Sequence, residues 1–223
     1  MAITFISSTN EGAQSTTATL AKPPGTSVNN ILVATIAARG NNITVTPDQA
    51  GWTMIRLDTE TTHQQAESWW RLTTGSDPAS WTWTLGSNTR HAGVMLAYSG
   101  VSTTTPIDVH AGQTTNVASL TIDGPSVTTT FKNDTLLAVA VSEASGVTIT
   151  APTGYTLRGT GNAGGSANAG NTVSVFDKSF VGPGPTGTWS APQDTSRDDI
   201  AQSIALKDSA AGRRLLTALG IGT

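Results

Sequence analysis

The sequence predicts an all-β protein, a jelly-roll-like antiparallel β-sandwich built from two diverged repeats. Short segments alternate apolar and polar residues with the period of two that is typical of half-buried strands. Glycine and proline supply 23 and 10 of the 223 residues, and only 12% of the residues are charged. This composition favours strands and turns over helices. The segment 43–53 (ITVTPDQAGWT) also returns later in the chain at 147–156 (VTITAPTGYT), which indicates a duplicated unit.

The repeat extends on both sides of these segments. Further matches are 29–34 with 133–138, Trp70 with Phe176, 82–84 with 188–190, and 94–98 with 203–207. We therefore expect repeat A at about residues 29–100 and repeat B at about 133–207, both inside one β-sandwich domain at 1–207. Residues 208–223 are left as a C-terminal tail.

The first half of the chain divides into short strands separated by turn residues. Candidate strands lie at residues 2–7, 16–20, 31–38, 43–46, 52–57, 66–72, 80–85 and 92–98. The continuous apolar run 31–38 suits a central strand that is covered on both faces. Trp81, Trp83 and Leu85 alternate with threonines and so share one face of their strand. The sequence Gly-Ser-Asn at 86–88 predicts a turn into the next strand.

The second half repeats this pattern after a link at residues 102–113. Candidate strands in this half lie at 117–122, 127–131, 172–180, 186–190 and 200–207. The segment 159–170 is rich in Gly, Asn, Ala and Ser, which predicts a surface loop. Three carboxylates are predicted to lie in a solvated turn before the last strand: Asp194, Asp198 and Asp199.

Charge and hydropathy exclude several classes of partner. The formal net charge is −3 with only 12 Lys plus Arg, whereas nucleic-acid binding normally rests on several phosphate-neutralising cations. No apolar segment approaches the roughly 20 residues that a membrane span needs. The N-terminus lacks the cationic start of a signal peptide. We therefore expect synthesis and folding in a cytoplasm, with neither nucleic acid nor a membrane as partner.

The sequence contains no recognisable constellation for catalysis, cofactor binding or metal binding, and we expect none. There is no cysteine. His63, His91 and His110 lie in three separate segments and are interpreted as polar surface groups. Asp108 and His110 could point to the same side of a strand, but no third metal ligand accompanies them. Asp108 is therefore interpreted as a turn cap.

Tryptophan provides the best lead to a binding surface, because its ring can stack on a sugar or anchor an interface. Four aromatic residues recur at repeat-equivalent places and are predicted to lie in the core: Trp52, Trp83, Tyr155 and Trp189. Trp69 and Trp70 are adjacent and so face opposite sides of a strand. Because Trp70 is matched by Phe176, we expect Trp70 inside and Trp69 exposed as a contact residue.

The tail is predicted to form a short helix over residues 209–219, with leucines on one face. Its candidate interface residues are Arg213, Arg214, Leu215, Leu216 and Leu219. Two interpretations stay open. The leucine face folds back on the sandwich, or it docks on a neighbouring subunit and anchors an assembly.

A set of short motifs spans residues 2–207: ILVA at 31–34, GWT at 51–53, WW at 69–70, WTW at 81–83, AYSGV at 97–101 and PID at 106–108. Together they resemble a jelly-roll-like domain found in phage virion proteins and in some bacterial surface proteins. The chain looks most like minor tail or capsid-decoration proteins of double-stranded DNA phages. This resemblance implies a non-enzymatic virion part, made in the host cytoplasm, that contacts other virion proteins and forms a homo-oligomer, for example a trimer. It supplies no catalytic or binding residues.

A carbohydrate-binding module or adhesin that recognises host-surface glycans is the alternative, since sandwiches of this kind often display aromatic residues to sugars. An enzyme ranks third. An exposed tryptophan pair beside a groove with Asn or Asp would favour glycan binding. A tail bound to another chain would favour assembly.

Overall fold

The computed structural model describes residues 2–61, 63–164 and 170–210. This part of the chain is all-β, with antiparallel strands in two main sheets, which confirms the predicted antiparallel β-sandwich. Its strands are β1 (Thr4–Ala21), β2 (Ile31–Arg39), β3 (Val45–Pro47), β4 (Thr53–Thr59), β5 (Gln64–Leu72), β6 (Ser80–Ser99), β7 (Ile107–Gly124), β8 (Thr128–Thr129), β9 (Asp134–Ser142), β10 (Thr156–Asn162), β11 (Thr172–Phe180), β12 (Gly184–Pro185) and β13 (Trp189–Leu206).

Each repeat forms one sheet together with the long strand that precedes it, β1 or β7, and the two sheets have the same strand order. The first is β1-β6-β2-β5-β4, with β3 paired to β6, and the second is β7-β13-β9-β11-β10. Strand β1 contacts β10 at one edge of the sandwich, and β4 contacts β7 at the other. Because β1 corresponds to β7 and β4 to β10, a pseudo-twofold axis relates the two sheets.

Local backbone features recur at equivalent positions. The non-glycine residues with positive φ in the described chain are Asn29 (67°) and Asn133 (63°), each just before the central strand of its sheet. Asparagine tolerates this conformation better than most residues. The strand pairs β4–β5 and β10–β11 also carry a register shift at the same place, around Ile55 and around Arg158.

Equivalent residues meet at one end of the pseudo-axis. Arg39 Nη2 lies 2.7 Å from Glu143 Oε1, and Asn171 Nδ2 donates to Gln64 Oε1 at 2.8 Å. In each pair the two residues hold the same place in the two repeats. The duplicated positions have thus become complementary, since two copies of either charged residue would repel each other here.

The strand register corrects the repeat alignment made from sequence. Ala34 pairs with Trp69 and Ala138 pairs with Phe176, so Phe176 corresponds to Trp69 and not to Trp70. A one-residue shift moves a side chain to the opposite face of a sheet. The alignment of Trp70 with Phe176 was therefore wrong, although Trp69 and Trp70 do point to opposite faces of the sheet as predicted.

The tryptophans of β6 and β13 shift in the same way. Ala34 pairs with Met95 and Ala138 with Ser203. Counting back along both strands from this pair of positions places Trp81, rather than Trp83, opposite Trp189 in the alignment.

Two predicted turns lie inside strands. The sequence Gly-Ser-Asn at 86–88 is part of the 20-residue strand β6, and Asp194, Asp198 and Asp199 lie on the 18-residue strand β13. Strand β1 pairs with β6 on both sides of a register shift between Ser15 and Thr17. The β1–β6 strand pair bends there, and the half of the pair that contains Trp81 and Trp83 packs on the outer surface of its own sheet.

This bend gives the sandwich three apolar layers. The middle layer lies between the sheets, and alternate residues of β2 and β9, such as Val33 and Leu137, point into it. Each outer layer lies between a sheet and the bent half of its own β1–β6 or β7–β13 strand pair. The other alternate residues of β2 and β9, such as Ala34 and Ala138, point into the outer layers. The strands β2 and β9 are therefore buried on both faces, as the apolar run at 31–38 predicts.

Aromatic rings fill the outer layers. Trp81 and Trp83 are fully buried, and their rings lie 5.8 and 4.9 Å from the ring of Trp52. In the second sheet Trp189 is buried, and its Nε1 donates to Ser203 Oγ at 2.8 Å, while Tyr155 is half-buried against the same layer. These rings pack the bent halves of the β1–β6 and β7–β13 strand pairs against the outer faces of the sheets.

We expect the substitution Trp83→Ala to lower the free energy of unfolding by about 3–5 kcal/mol, because it leaves a large cavity in an outer layer. Chemical denaturation followed by circular dichroism measures this change. Val117→Ala serves as control, since Val117 is 74% exposed and its truncation should change stability by less than about 0.5 kcal/mol. A Trp83→Ala protein as stable as the parent would show that the outer layer is not part of the stabilising core.

Candidate functional site

Two adjacent cavities open at one end of the sandwich, where β9 begins and where β11 and β13 end. Their volumes are about 830 and 280 Å³. They share Ile3, Thr135 and Ser179 in their walls, so they form one continuous depression, which we call the end cleft.

The larger cavity of the end cleft is mainly apolar. It is lined by Phe131, Phe180, Val181 and Pro183, and Val181 is 78% exposed. The short pair of β8 and β12 holds this wall, with Thr129 Oγ1 donating to Gly184 O at 3.3 Å. Exposed apolar surface of this kind is typical of a contact site.

The smaller cavity of the end cleft is polar and carries opposite charges. Asp177 accepts a hydrogen bond from Tyr98 Oη at 2.9 Å and one from Arg158 Nε at 2.8 Å. The Arg158 guanidinium also lies 4.5 Å from the centre of the Phe5 ring, and Lys178 Nζ lies 4.4 Å from that of Tyr155. These contacts fix both cations at the wall of the cavity.

Burial shifts two pKa values at this wall. It raises the pKa of Tyr98 well above the usual range, and the adjacent Asp177 carboxylate raises it further. Burial also lowers the pKa of Lys178. Tyr98 is therefore a permanent hydrogen-bond donor to Asp177 at neutral pH.

Pseudo-symmetry shows that this polar network is not required by the fold. The network residues Phe5, Tyr98, Arg158 and Asp177 correspond by register to Ile107, Leu206, Ile55 and Trp70. The corresponding residues are all apolar and pack against the middle layer. Since a buried ion pair is seldom better than apolar packing, the network is a candidate for recognition rather than for stability.

A second group of carboxylates lies beside the cleft. Asp134 begins β9 and is buried, with Asp108 and Asp208 nearby. Asp108 accepts hydrogen bonds from Thr130 N at 2.6 Å and Thr130 Oγ1 at 2.5 Å, so it caps that turn. Burial chiefly raises the pKa of Asp134 to about 7, and the neighbouring carboxylates Asp108 and Asp208 add to this shift.

Trp69 does not lie on the surface, which corrects the prediction of an exposed contact residue. Its side chain points to the outer face of its sheet, opposite to Trp70, but it is only 8% exposed. The bent β1–β6 strand pair covers that face and places Trp81 and Trp83 in the same layer. A face that looks solvent-exposed from strand alternation is thus an interior face.

The histidines that were predicted to be surface groups lie in separate environments. His110 Nδ1 lies 3.2 Å from Arg56 Nη1, while Asp108 contacts Thr130, so these two residues do not converge on one site. His91 is fully buried, and the expectation of a surface group is wrong for it. Burial lowers its pKa, but Glu11, 3.2 Å from His91 Nε2, and the backbone carbonyl of Thr89 together outweigh this and raise the pKa overall.

The candidate interface residues of the tail, Arg213, Arg214, Leu215, Leu216 and Leu219, lie outside the described residues, and so does most of the predicted helix. The described chain ends at Ala210, whose side chain helps to line the larger cavity. Sequence reasoning missed the end cleft, because its walls come from strands far apart in the chain. One sequence signal could have indicated the polar part of the cleft: Arg158 and Asp177 are charged, whereas the corresponding residues of repeat A are apolar.

Comparisons with known proteins add no relative: no family model, no curated protein and no solved structure matches this chain. In the described part of the chain, no helix has the length and apolar character needed to cross a membrane.

Protonation of Asp134 should make stability depend on pH. Its pKa rises from 3.8 to about 7 on folding, so the folded state binds this proton more tightly than the unfolded state. Stability from this group is therefore complete below about pH 4 and falls as the pH rises to about 7. We expect Asp134→Asn to be more stable than the parent at pH 8 and to differ little from it at pH 4.

Denaturant titrations at both pH values measure this difference. Asp48→Asn is the control, because Asp48 is an exposed carboxylate in a loop and its removal should not share this pH dependence. A stability difference between Asp134→Asn and the parent that is the same at pH 4 and pH 8 would contradict the argument.

Proposed function

We propose that the protein is a non-enzymatic structural component of a bacteriophage virion, a minor tail or capsid-decoration protein that acts through protein–protein contacts. The virion setting rests on the sequence resemblance described above. The observation that carries the mode of action is the apolar part of the end cleft, with the exposed Val181 and the rings of Phe131 and Phe180 in its wall. Such a surface is stabilised when another protein covers it.

The position of the tail supports the same proposal. Residues 211–223 follow directly on Ala210 at the wall of the cleft. They contain Arg213 and Arg214 and the apolar residues Leu215, Leu216 and Leu219. In this proposal the cleft and the tail together form the contact region, with further copies of the chain or other virion proteins as partners.

Recognition of a host-surface glycan is a second candidate, and the smaller cavity favours it. Arg158, Asp177 and Lys178 provide donors and acceptors at the wall of a 280 Å³ space, which suits the hydroxyl and carboxylate groups of an acidic sugar. The buried Trp69 does not contribute to such a site. Glycan-array binding that is lost in Arg158→Ala would favour this candidate over assembly.

We expect the full chain to self-associate and its deletion variant lacking residues 211–223 to be a folded monomer. The deletion retains the described contacts at the end of the chain, including the hydrogen bonds from Ser209 N to Gly100 O at 2.9 Å and from Ala210 N to Asp208 Oδ1 at 2.9 Å. Sedimentation velocity measures the mass, and circular dichroism checks the fold.

A matched pair of substitutions tests the cleft. Val181→Asp should weaken self-association about tenfold or more, because it puts a charge into an apolar contact. Val117→Asp should not, since Val117 is equally exposed but lies on β7, away from the cleft. A full chain that stays monomeric, or that associates equally well with either substitution, would contradict contact through the cleft.

A further inference from the structure

A cluster of metal-ligand residues lies at the opposite end of the sandwich from the cleft. Glu60 and His63 come from the connection between β4 and β5, and Asp198 comes from β13 of the other repeat. One ligand atom from each of the three residues lies within 4.8 Å of the other two. Glu60 has a fully buried side chain, whereas His63 is half-exposed, so the cluster is open to solvent on one side.

Backbone hydrogen bonds hold the first two residues in place. His63 N donates to Glu60 Oε2 at 2.8 Å, and Glu60 N donates to Gln64 O at 2.9 Å. The carbonyl of His63 accepts from Gly40 N at 2.6 Å. The main chain is thus held at Glu60 and His63, and the His63 amide fixes the Glu60 side chain.

Asp198 is held against this turn from the other sheet. Its carbonyl oxygen accepts from Glu143 N at 3.1 Å and from Gln64 Nε2 at 3.2 Å. The contact therefore joins β13 and β9 of one repeat to β5 of the other. A ligand bound by all three residues would bridge the two repeats.

A third carboxylate lies beside the cluster. Glu143 Oε1 lies 3.2 Å from His63 Nδ1 and 2.7 Å from Arg39 Nη2. The carboxylates of Glu60, Asp198 and Glu143 thus lie close together around the His63 imidazole. Such a group of carboxylates attracts a divalent cation.

The twofold-related corner shares one backbone hydrogen bond with this turn, but its described residues include none of these donors. There Ala163 N donates to Asn171 O at 3.0 Å, which is the counterpart of the hydrogen bond from Glu60 to Gln64. The counterparts of the three cluster residues, by strand register, are Ala163, Gly170 and Arg90. Since an alanine fills the buried position of Glu60, the fold does not need a carboxylate there.

We propose that Glu60, His63 and Asp198 bind a zinc ion that joins the two repeats. One imidazole nitrogen and two carboxylate oxygens form a set that Zn²⁺ accepts, with a fourth position left for water. Around tetrahedral Zn²⁺ with bonds of about 2.0–2.2 Å, ligand atoms lie about 3.3–3.6 Å apart, so side-chain shifts of about 1 Å complete the site. The imidazole nitrogen favours zinc over calcium, which binds through oxygen. This site is independent of the proposed role in assembly.

Isothermal titration of the full chain, without an affinity tag, with ZnCl₂ tests the proposal. We expect one Zn²⁺ per chain and a higher melting temperature with Zn²⁺ than with the chelator EDTA. The chain contains no cysteine and only three histidines, and His91 is fully buried, so few other zinc sites compete. CaCl₂ should bind at least about tenfold more weakly than ZnCl₂.

His63→Ala and Asp198→Asn should each weaken zinc binding at least about tenfold, since each removes one of three protein ligands. Matched controls are His110→Ala and Asp194→Asn, a histidine outside the cluster and an exposed aspartate on the same strand as Asp198. Both controls should bind like the parent, and the melting temperature in EDTA checks that each variant is folded. No zinc binding, equal binding by all four variants, or equal affinity for Ca²⁺ would each overturn the proposal.

Discussion

Burial of the central strands on both faces is the condition on which the rest of this structure depends. β2 and β9 carry apolar side chains on both sides, so a two-sheet sandwich alone would leave one face of each strand in water. The long, bent strand pairs β1–β6 and β7–β13 solve this by folding back over the outer faces, with Trp81, Trp83 and Trp189 as the buried rings. The lengths of β6 and β13, the three-layer core and the loss of any exposed tryptophan pair all follow from this requirement.

Duplication separates what the fold needs from what it does not need. Both repeats keep the strand order, the register shift and the positive-φ asparagine, because each is part of the folding unit. Two of the places where the repeats differ in chemistry are the Arg158–Asp177 network in the end cleft and the corner with Glu60, His63 and Asp198. At the equivalent positions the other repeat has apolar or small residues, or an arginine. Polar groups that one copy does without are the best candidates for recognition.

The two ends of the sandwich therefore suit different roles. One end has an apolar cleft, beside which the described chain ends at Ala210, and assembly through this cleft would leave the proposed zinc site at the other end accessible. A bound ion there would join the sheets of the two repeats near the Arg39–Glu143 pair, which already links them. Binding that is selective for the folded state raises stability in proportion to the logarithm of ligand concentration, so the zinc site would strengthen the contact between the repeats without changing the cleft.

Local pattern was enough to predict the class of fold, the duplication and several strands. The run 31–38 became Ile31–Arg39, and the strand at 172–180 was predicted with its observed bounds, because alternation and continuous apolar runs report burial directly. The glycine-containing turn at 86–88 was wrong, since these residues lie within β6, at the register shift of its pairing with β1. Trp69 was assigned to the correct face but to the wrong environment. Which face a side chain points to is a property of its own strand, whereas what covers that face depends on other strands, here the β1–β6 pair. The same reason hid the cluster of Glu60, His63 and Asp198, because only the packing of one repeat on the other brings these residues within a few ångströms.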